Sequence, residues 1–417
     1  MSSAPDPSPE ARPASSAAPR PSGLRRIIDN AAALTLIVAG LVFLAYRSGW
    51  MSPSGDALRA GDPDSKAYLQ DDDPSLKITD IGPRNYKIVD VHEHVLNMDE
   101  AKRLLPYMDE LGVSRMCLLG ATQYTFTLND RYGFEGFEAN NEELLKIKER
   151  WPDRFCAFIT IDPTEAGDLV RIQDYVTRGA DGVKLFLGHG ESHGKGPFHS
   201  MPLDDPRMEP IYAWMEAEQL PIVYHVNLIK YWDEFLRVME AHPYLRVDVA
   251  HMGLHKNTAA RLTRLSYLLK RYPNLYTDLS FGYYTFQSEG FESLAKWRTR
   301  SNQWLTGHKD KLLFGSDMVL EPSKDNLYIE NTLRSYMQLL ETEKFRFFLL
   351  PEKTMHGLNL DTATLRSIYE GAPASFLLLD SAGRLPDRRQ GFAASGRAAP
   401  PRPPVPPMSE MPPPEEK

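Results

Sequence analysis

The 417-residue chain predicts an α/β fold, a (β/α)8 TIM-type barrel preceded by one N-terminal transmembrane helix. Three observations carry this. Eight apolar, β-branched runs alternate with amphipathic stretches across the middle of the chain, as in a parallel sheet with crossover helices. Four of the runs, the first among them, carry histidines or an aspartate at their ends, whereas an open doubly wound sheet carries a Gly-rich dinucleotide turn after its first strand. A sixteen-residue segment, Ala31 to Tyr46, has Thr35 as its only polar side chain.

The expected strands are Lys87–His94, Arg115–Ala121, Phe155–Ile161, Gly182–Leu187, Pro221–Val226, Arg246–His251, Leu275–Ser280 and Lys311–Asp317. Helix punctuation falls between them. Asp205-Pro206 places a cap before a helix-starting proline, and Leu262, Leu265, Leu268 and Leu269 form an apolar stripe that ends before Pro273.

Composition divides the chain further. Residues 1–26, rich in Pro, Ala and Ser, are expected to be disordered. Residues 27–50 are long enough for a tilted membrane span. Arginines before the span outnumber Arg47 after it, which places the N-terminus in the cytoplasm and the catalytic body on the periplasmic or extracytoplasmic side. An acidic linker over 51–85 leads to the barrel over 86–380, and 381–417 reads as a Pro-rich disordered tail. The expected partners are a small-molecule substrate and a membrane, with homo-oligomers among the arrangements left open.

The formal net charge of −8 gives no basic surface of the kind that neutralises phosphates, so nucleic acid is excluded as a partner. Cys117 and Cys156 sit in apolar runs expected to be neighbouring strands. They read as two free, buried thiols, with an oxidised pair as the alternative.

The chemistry gathers at the strand ends. Side chains alternate along a strand, so His92 and His94 in Asp90-Val91-His92-Glu93-His94 project to one side and can grip one ion. His225 ends the fifth strand, His251 the sixth and Asp317 the eighth, and C-terminal strand ends converge on a barrel's mouth. Imidazoles with a carboxylate suit zinc or another divalent ion and leave room for a water.

From Ile88 to Leu379 the chain resembles the amidohydrolase superfamily, in the branch that includes aminocarboxymuconate semialdehyde decarboxylase and several lactone hydrolases. The segments that carry the resemblance are the His92/His94 motif, Gly182-Val183-Lys184-Leu185, Ile222-Val223-Tyr224-His225, Val249-Ala250-His251-Met252-Gly253, Phe314-Gly315-Ser316-Asp317 and Ile368-Tyr369-Glu370-Gly371-Ala372-Pro373-Ala374. The resemblance implies that His92, His94, His225 and Asp317 bind one metal ion, with zinc the leading candidate, and that His251 polarises the substrate or moves a proton. For Lys184 it leaves open a carbamylated bridge between two ions, an orienting or substrate-binding role, and charge balance for buried carboxylates.

The expected reaction is hydrolysis of an ester, lactone or amide by metal-activated water, with His251 and Asp317 sharing proton transfers. The alternatives are a decarboxylase or hydratase on the same site and a membrane-tethered barrel without activity. Weaker candidates for the pocket are His189, His193 and His199 after the fourth strand and the aromatic run Phe281 to Phe286. His242, His255, His308 and His356 read as structural, and Glu93 as pointing away from the barrel axis.

Overall fold

The computed structural model describes residues 81–389, apart from 83–84, 130, 166–167, 188–200, 255, 257 and 352. Eight parallel strands follow the chain in order: β1 (Ile88–Glu93), β2 (Val113–Leu119), β3 (Phe155–Thr160), β4 (Gly182–Leu185), β5 (Ile222–Tyr224), β6 (Val247–Val249), β7 (Leu275–Asp278) and β8 (Leu312–Leu313). Each pairs with its neighbour in sequence. Hydrogen bonds from Val91 N to Phe314 O (2.9 Å) and from Asp317 N to His92 O (2.7 Å) bring the chain after β8 back onto β1. This is the (β/α)8 barrel that the alternation predicts.

The period of two splits the strand residues between two cores. Val89, Val91, Cys117, Leu119, Phe158, Val223 and Tyr276 pack inside the barrel. The helix Ala372–Leu377 joins that interior cluster through Phe376, whose ring stacks on Phe158 and meets Tyr276 edge-on. The larger core lies between the strands and the surrounding helices. The helix Ala259–Arg271 shows why: Thr258 caps it by accepting a hydrogen bond from Arg261 N, and Leu262, Leu265, Leu268 and Leu269 turn inward as a buried stripe.

Several expectations are corrected. The single-pass membrane placement is not supported: among the described residues no helix is long and apolar enough to cross a membrane, and residues 27–50 lie outside them. Cys117 and Cys156 are not free thiols but a disulfide; the register sets Cys117 directly beside Cys156 with both side chains inside the barrel, their Cα atoms 4.6 Å apart. Asp205 does not cap a helix at Pro206. Its carboxylate is taken by the backbone and side chain of Arg207, and the next helix is Glu209–Ala217 with Pro210 in its first turn. The chain after 380 does not leave at once as a tail. Arg388 is buried and donates to the carbonyls of Glu218 and Gln219. A short antiparallel pair, β9 (Lys344–Arg346) with β10 (Thr354–His356), was not foreseen.

Leu268 is fully buried in the helix-facing core. Leu268→Ala is expected to cost about 2–5 kcal/mol of unfolding free energy. A denaturant titration that shows no shift in midpoint would contradict this packing.

Candidate metal centre

The local sequence around the strand ends forces an unusual backbone. Asp317 (φ 46°) and His251 (φ 58°) both adopt the left-handed conformation, which bulky residues hold only where the surroundings determine it. Two glycines make room. A Cβ on Gly315 would stand 2.9 Å from that of His92, and one on Gly282, itself at φ 48°, would collide with Asp317 Oδ2.

Into this space the structure brings His92, His94, His251 and Asp317, all buried. Asp317 Oδ1 lies 3.6 Å from His92 Nε2 and 3.7 Å from His94 Nε2, and its Oδ2 lies 3.7 Å from His251 Nε2. In each histidine the other nitrogen is already used. His92 Nδ1 donates to Asp278 Oδ2 (2.6 Å), His94 Nδ1 to Leu119 O (2.8 Å) and His251 Nδ1 to Ser280 O (2.8 Å). These partners fix the tautomer, so each Nε2 presents a lone pair at the centre, that of His92 lying 3.1 Å from Lys184 Nζ. Burial holds all three imidazoles well below their ordinary pKa, with the nearby Lys184 adding to it. They are neutral.

This donor set fits a divalent ion. Ligand bonds of about 2.0–2.1 Å in a tetrahedron imply donor separations of roughly 3.3–3.4 Å, close to the distances from Asp317. His92, His94 and Asp317 form one compact group able to hold an ion, and His92, His251 and Asp278 form another. His225 belongs to neither. It is half-buried at the end of β5, its ring 4.7 Å from that of His251 and stacked on Phe186.

Lys184 is fully buried on β4, with Nζ 3.1 Å from His92 Nε2. Burial lowers its pKa to about 8, opposed by the charges of Asp317, Asp278 and Asp248. The Asp317 carboxyl is in turn pushed well up by burial, with Lys184 pulling it back.

Sequence reasoning missed the residues that orient these groups. Asp278, the last residue of β7, accepts from His251 N (2.7 Å) and Ser280 Oγ (2.8 Å) through one oxygen and from His92 through the other. Its position at a strand end was the available signal. Ser316 Oγ lies 2.6 Å from Asp90 Oδ2 and 2.9 Å from Glu93 Oε2, and Glu93 Oε2 also accepts from Met318 N (2.9 Å). Glu93 thus faces the chain after β8. One hydroxyl proton cannot serve two carboxylates, so a carboxyl proton completes the set. Burial raises Glu93 to about 7 and Asp90 well above the usual carboxylate range.

The remaining histidines divide. His189, His193, His199 and His255 lie outside the described residues. His242 pairs with Glu209, His308 bonds the Trp304 carbonyl, and His356 lies on β10. The aromatic run after β7 contributes Phe286, whose ring meets His251 edge-on at 5.6 Å.

A (β/α)8 barrel with histidines and an aspartate gathered at its mouth defines a class of metal-assisted enzymes. The amidohydrolase family model matches residues 89–379. The chain belongs to the amidohydrolase family. Solved structures with a similar fold include a probable 2-pyrone-4,6-dicarboxylic acid hydrolase from Acinetobacter baumannii (14% identical, 70% of this chain and 98% of that one, TM-score 0.49). Others are 2,6-dihydroxybenzoate decarboxylase from Rhizobium (16%, 70% and 98%, 0.42) and 4-oxalomesaconate hydratase from Rhodopseudomonas palustris (16%, 69% and 95%, 0.43). No curated protein matches the chain.

Asp278→Asn removes the carboxylate that holds His92. Zinc affinity, measured by competition with a chromophoric chelator, is expected to fall 10–100-fold with the circular dichroism spectrum retained. Unchanged affinity would show that Asp278 does not orient the ligand.

Proposed function

We propose that this chain is a metal-dependent hydrolase that cleaves an ester, lactone or amide bond of a small substrate. The observation that carries the reading is the convergence of three imidazole lone pairs on the Asp317 carboxylate, each fixed from behind by a hydrogen bond at Nδ1. His92, His94 and Asp317 would hold the ion, with His225 the further donor at that end of the barrel. When bound, a divalent ion activates a water and polarises a carbonyl.

The protein's own groups manage the protons. Asp317 Oδ2 accepts a proton as the nucleophile forms. His251 Nε2, 3.7 Å away, is neutral and able to take that proton on and deliver it to the leaving group. Asp278 supports this through the backbone: it anchors His251 N and, through Ser280, the neighbourhood of the ring.

A second reading has a specific observation behind it. With a pKa near 8, Lys184 has a substantial neutral fraction at mildly alkaline pH, the form that reacts with carbon dioxide to give a carbamate. Its Nζ already faces His92 Nε2. A carbamate there would add two oxygen donors and make room for a second ion.

Metal content per chain separates these readings. Elemental analysis of the full-length protein is expected to give about one equivalent for the mononuclear hydrolase and about two, sensitive to removal of bicarbonate, for the bridged form. His92→Ala is expected to lose the metal while the barrel stays folded; retention of metal in this variant would refute the assignment. His251→Ala is expected to keep its metal and lose about 10²–10⁴-fold in turnover of p-nitrophenyl esters and aryl lactones. Wild-type release of carbon dioxide from aromatic carboxylates, without ester turnover, would favour the decarboxylase alternative instead.

A further inference from the structure

The apolar surface is distributed unevenly over the barrel. Leu96, Leu128, Ile229, Tyr283, Tyr284 and Leu327 are large hydrophobics that remain exposed among the described residues. They follow β1, β2, β5, β7 and β8, so all lie on the face where strands end. Val170, the one other such residue, begins the helix after β3 on the same side. Chance would scatter exposed hydrophobics over both faces, since single ones are common anywhere.

The apolar character continues inward to the histidines. Phe186, just beyond β4, stacks on both His94 and His225 with ring centroids 6.4 Å away. It belongs to a small aromatic cluster with Phe134, Phe137 and Tyr124 that is separate from both main cores. On the opposite side Phe286 meets His251 edge-on. The centre is therefore flanked by aromatic rings, and the segments that follow the strands expose aliphatic and phenolic side chains.

Among the described residues, two lysines near the centre are committed elsewhere. Lys324 donates to the carbonyls of Met318 and Val319. Lys256 is buried over the Phe286 ring, 4.0 Å from its centroid, and pairs with Glu289. A carboxylate that sought either lysine would have to break its arrangement, whereas a hydrocarbon chain meets rings and methyl groups.

We infer that the site accepts a substrate whose body is hydrophobic and uncharged, an aryl or alkyl ester, lactone or amide, with the hydrocarbon part lying against the Phe186 cluster and the mouth rim. This inference rests on the hydrolase reading for the identity of the reacting bond, but not for the affinity of the hydrocarbon part.

The test is a chain-length series read by calorimetry. The zinc-loaded full-length protein is titrated with n-alkyl hydroxamic acids from two to eight carbons, and the metal-free protein with the matching primary amides. Affinity is expected to rise about threefold to fourfold per methylene, the increment for burying one, and to fall when the terminal methyl is replaced by a carboxylate. Phe134→Ala is expected to flatten the slope and leave the two-carbon member unchanged. Tyr284→Ser, at an exposed position, should weaken only the longest members.

A flat series in both forms of the protein, or tighter binding of the carboxylate-terminated analogue, would overturn the inference. Hydroxamates that fail to bind while the amides keep their slope would count against the metal reading alone. If Tyr284→Ser changes the sedimentation coefficient and leaves the slope untouched, the rim is a subunit contact and the inference falls.

Discussion

The seam between the first and last strands governs everything at the mouth of this barrel. β8 is only two residues long, too short to hold its position by ladder bonds alone. The polar contacts that follow it compensate: Ser316 is gripped by Asp90 and Glu93, Glu93 also receives Met318 N, and Asp317 N bonds His92 O. The carboxylate of Asp317 is thereby carried to within 3.7 Å of two histidines from the opposite edge of the sheet. Closure of the fold and assembly of the centre are one event. A barrel open at this seam would have its histidines on one edge and its aspartate on the other.

The cost of that arrangement is a concentration of ionisable groups in a dry interior. Asp90, Glu93, Asp248, Asp278 and Asp317 are all buried within a few residues of the strand ends, against Lys184 as the fully buried cation. Unpaired, such charges would be prohibitive. The structure distributes the cost by protonation and pairing. Burial and the neighbouring Asp278 raise Asp248 well above the usual carboxylate range, which lessens the repulsion between the two. Asp278 is saturated by hydrogen bonds from His92, His251 N and Ser280. A bound divalent cation would offset the remaining negative charge, which is a physical reason for this cluster to persist.

The large-scale order was legible because it is written in periodicities. Eight apolar runs gave eight strands in the expected order, and the leucine stripe of the helix Ala259–Arg271 lies buried as its spacing demanded. Strand ends were less legible. The run Lys311–Asp317 reads as a continuous strand, yet regular strand geometry ends at Leu313, and beyond it the chain follows β1 through single bonds at Phe314 and Asp317, the latter in the left-handed conformation. The paired histidines of β1 were visible from their spacing, but Asp278 was not, since one aspartate in a strand is as well explained by a surface as by an interior. Side-chain partners on neighbouring strands, such as Cys117 with Cys156 or Ser316 with Asp90, depend on register, which no local pattern encodes. Pro206 misled for a related reason: the carboxylate of Asp205 was within reach of Arg207, and a side-chain pair displaced the cap.

The backbone at the centre argues that these groups are held in advance of any ligand. Asp317 and His251 sit in a conformation that costs of order 1–3 kcal/mol for residues other than glycine. Each is held there by bonds that a relaxed conformer would lose: His251 N to Asp278, Asp317 N to His92 O. Gly282 and Gly315 leave only enough space for this geometry, so the side chains cannot drift into the gaps that larger neighbours would otherwise fill. Binding of an ion or substrate then requires little rearrangement, and the reorganisation that solvent would demand during a reaction has been met in folding. The apolar flanks contributed by Phe186 and Phe286 act in the same direction, because a low-polarity wall beside fixed dipoles strengthens every charge interaction made at the centre.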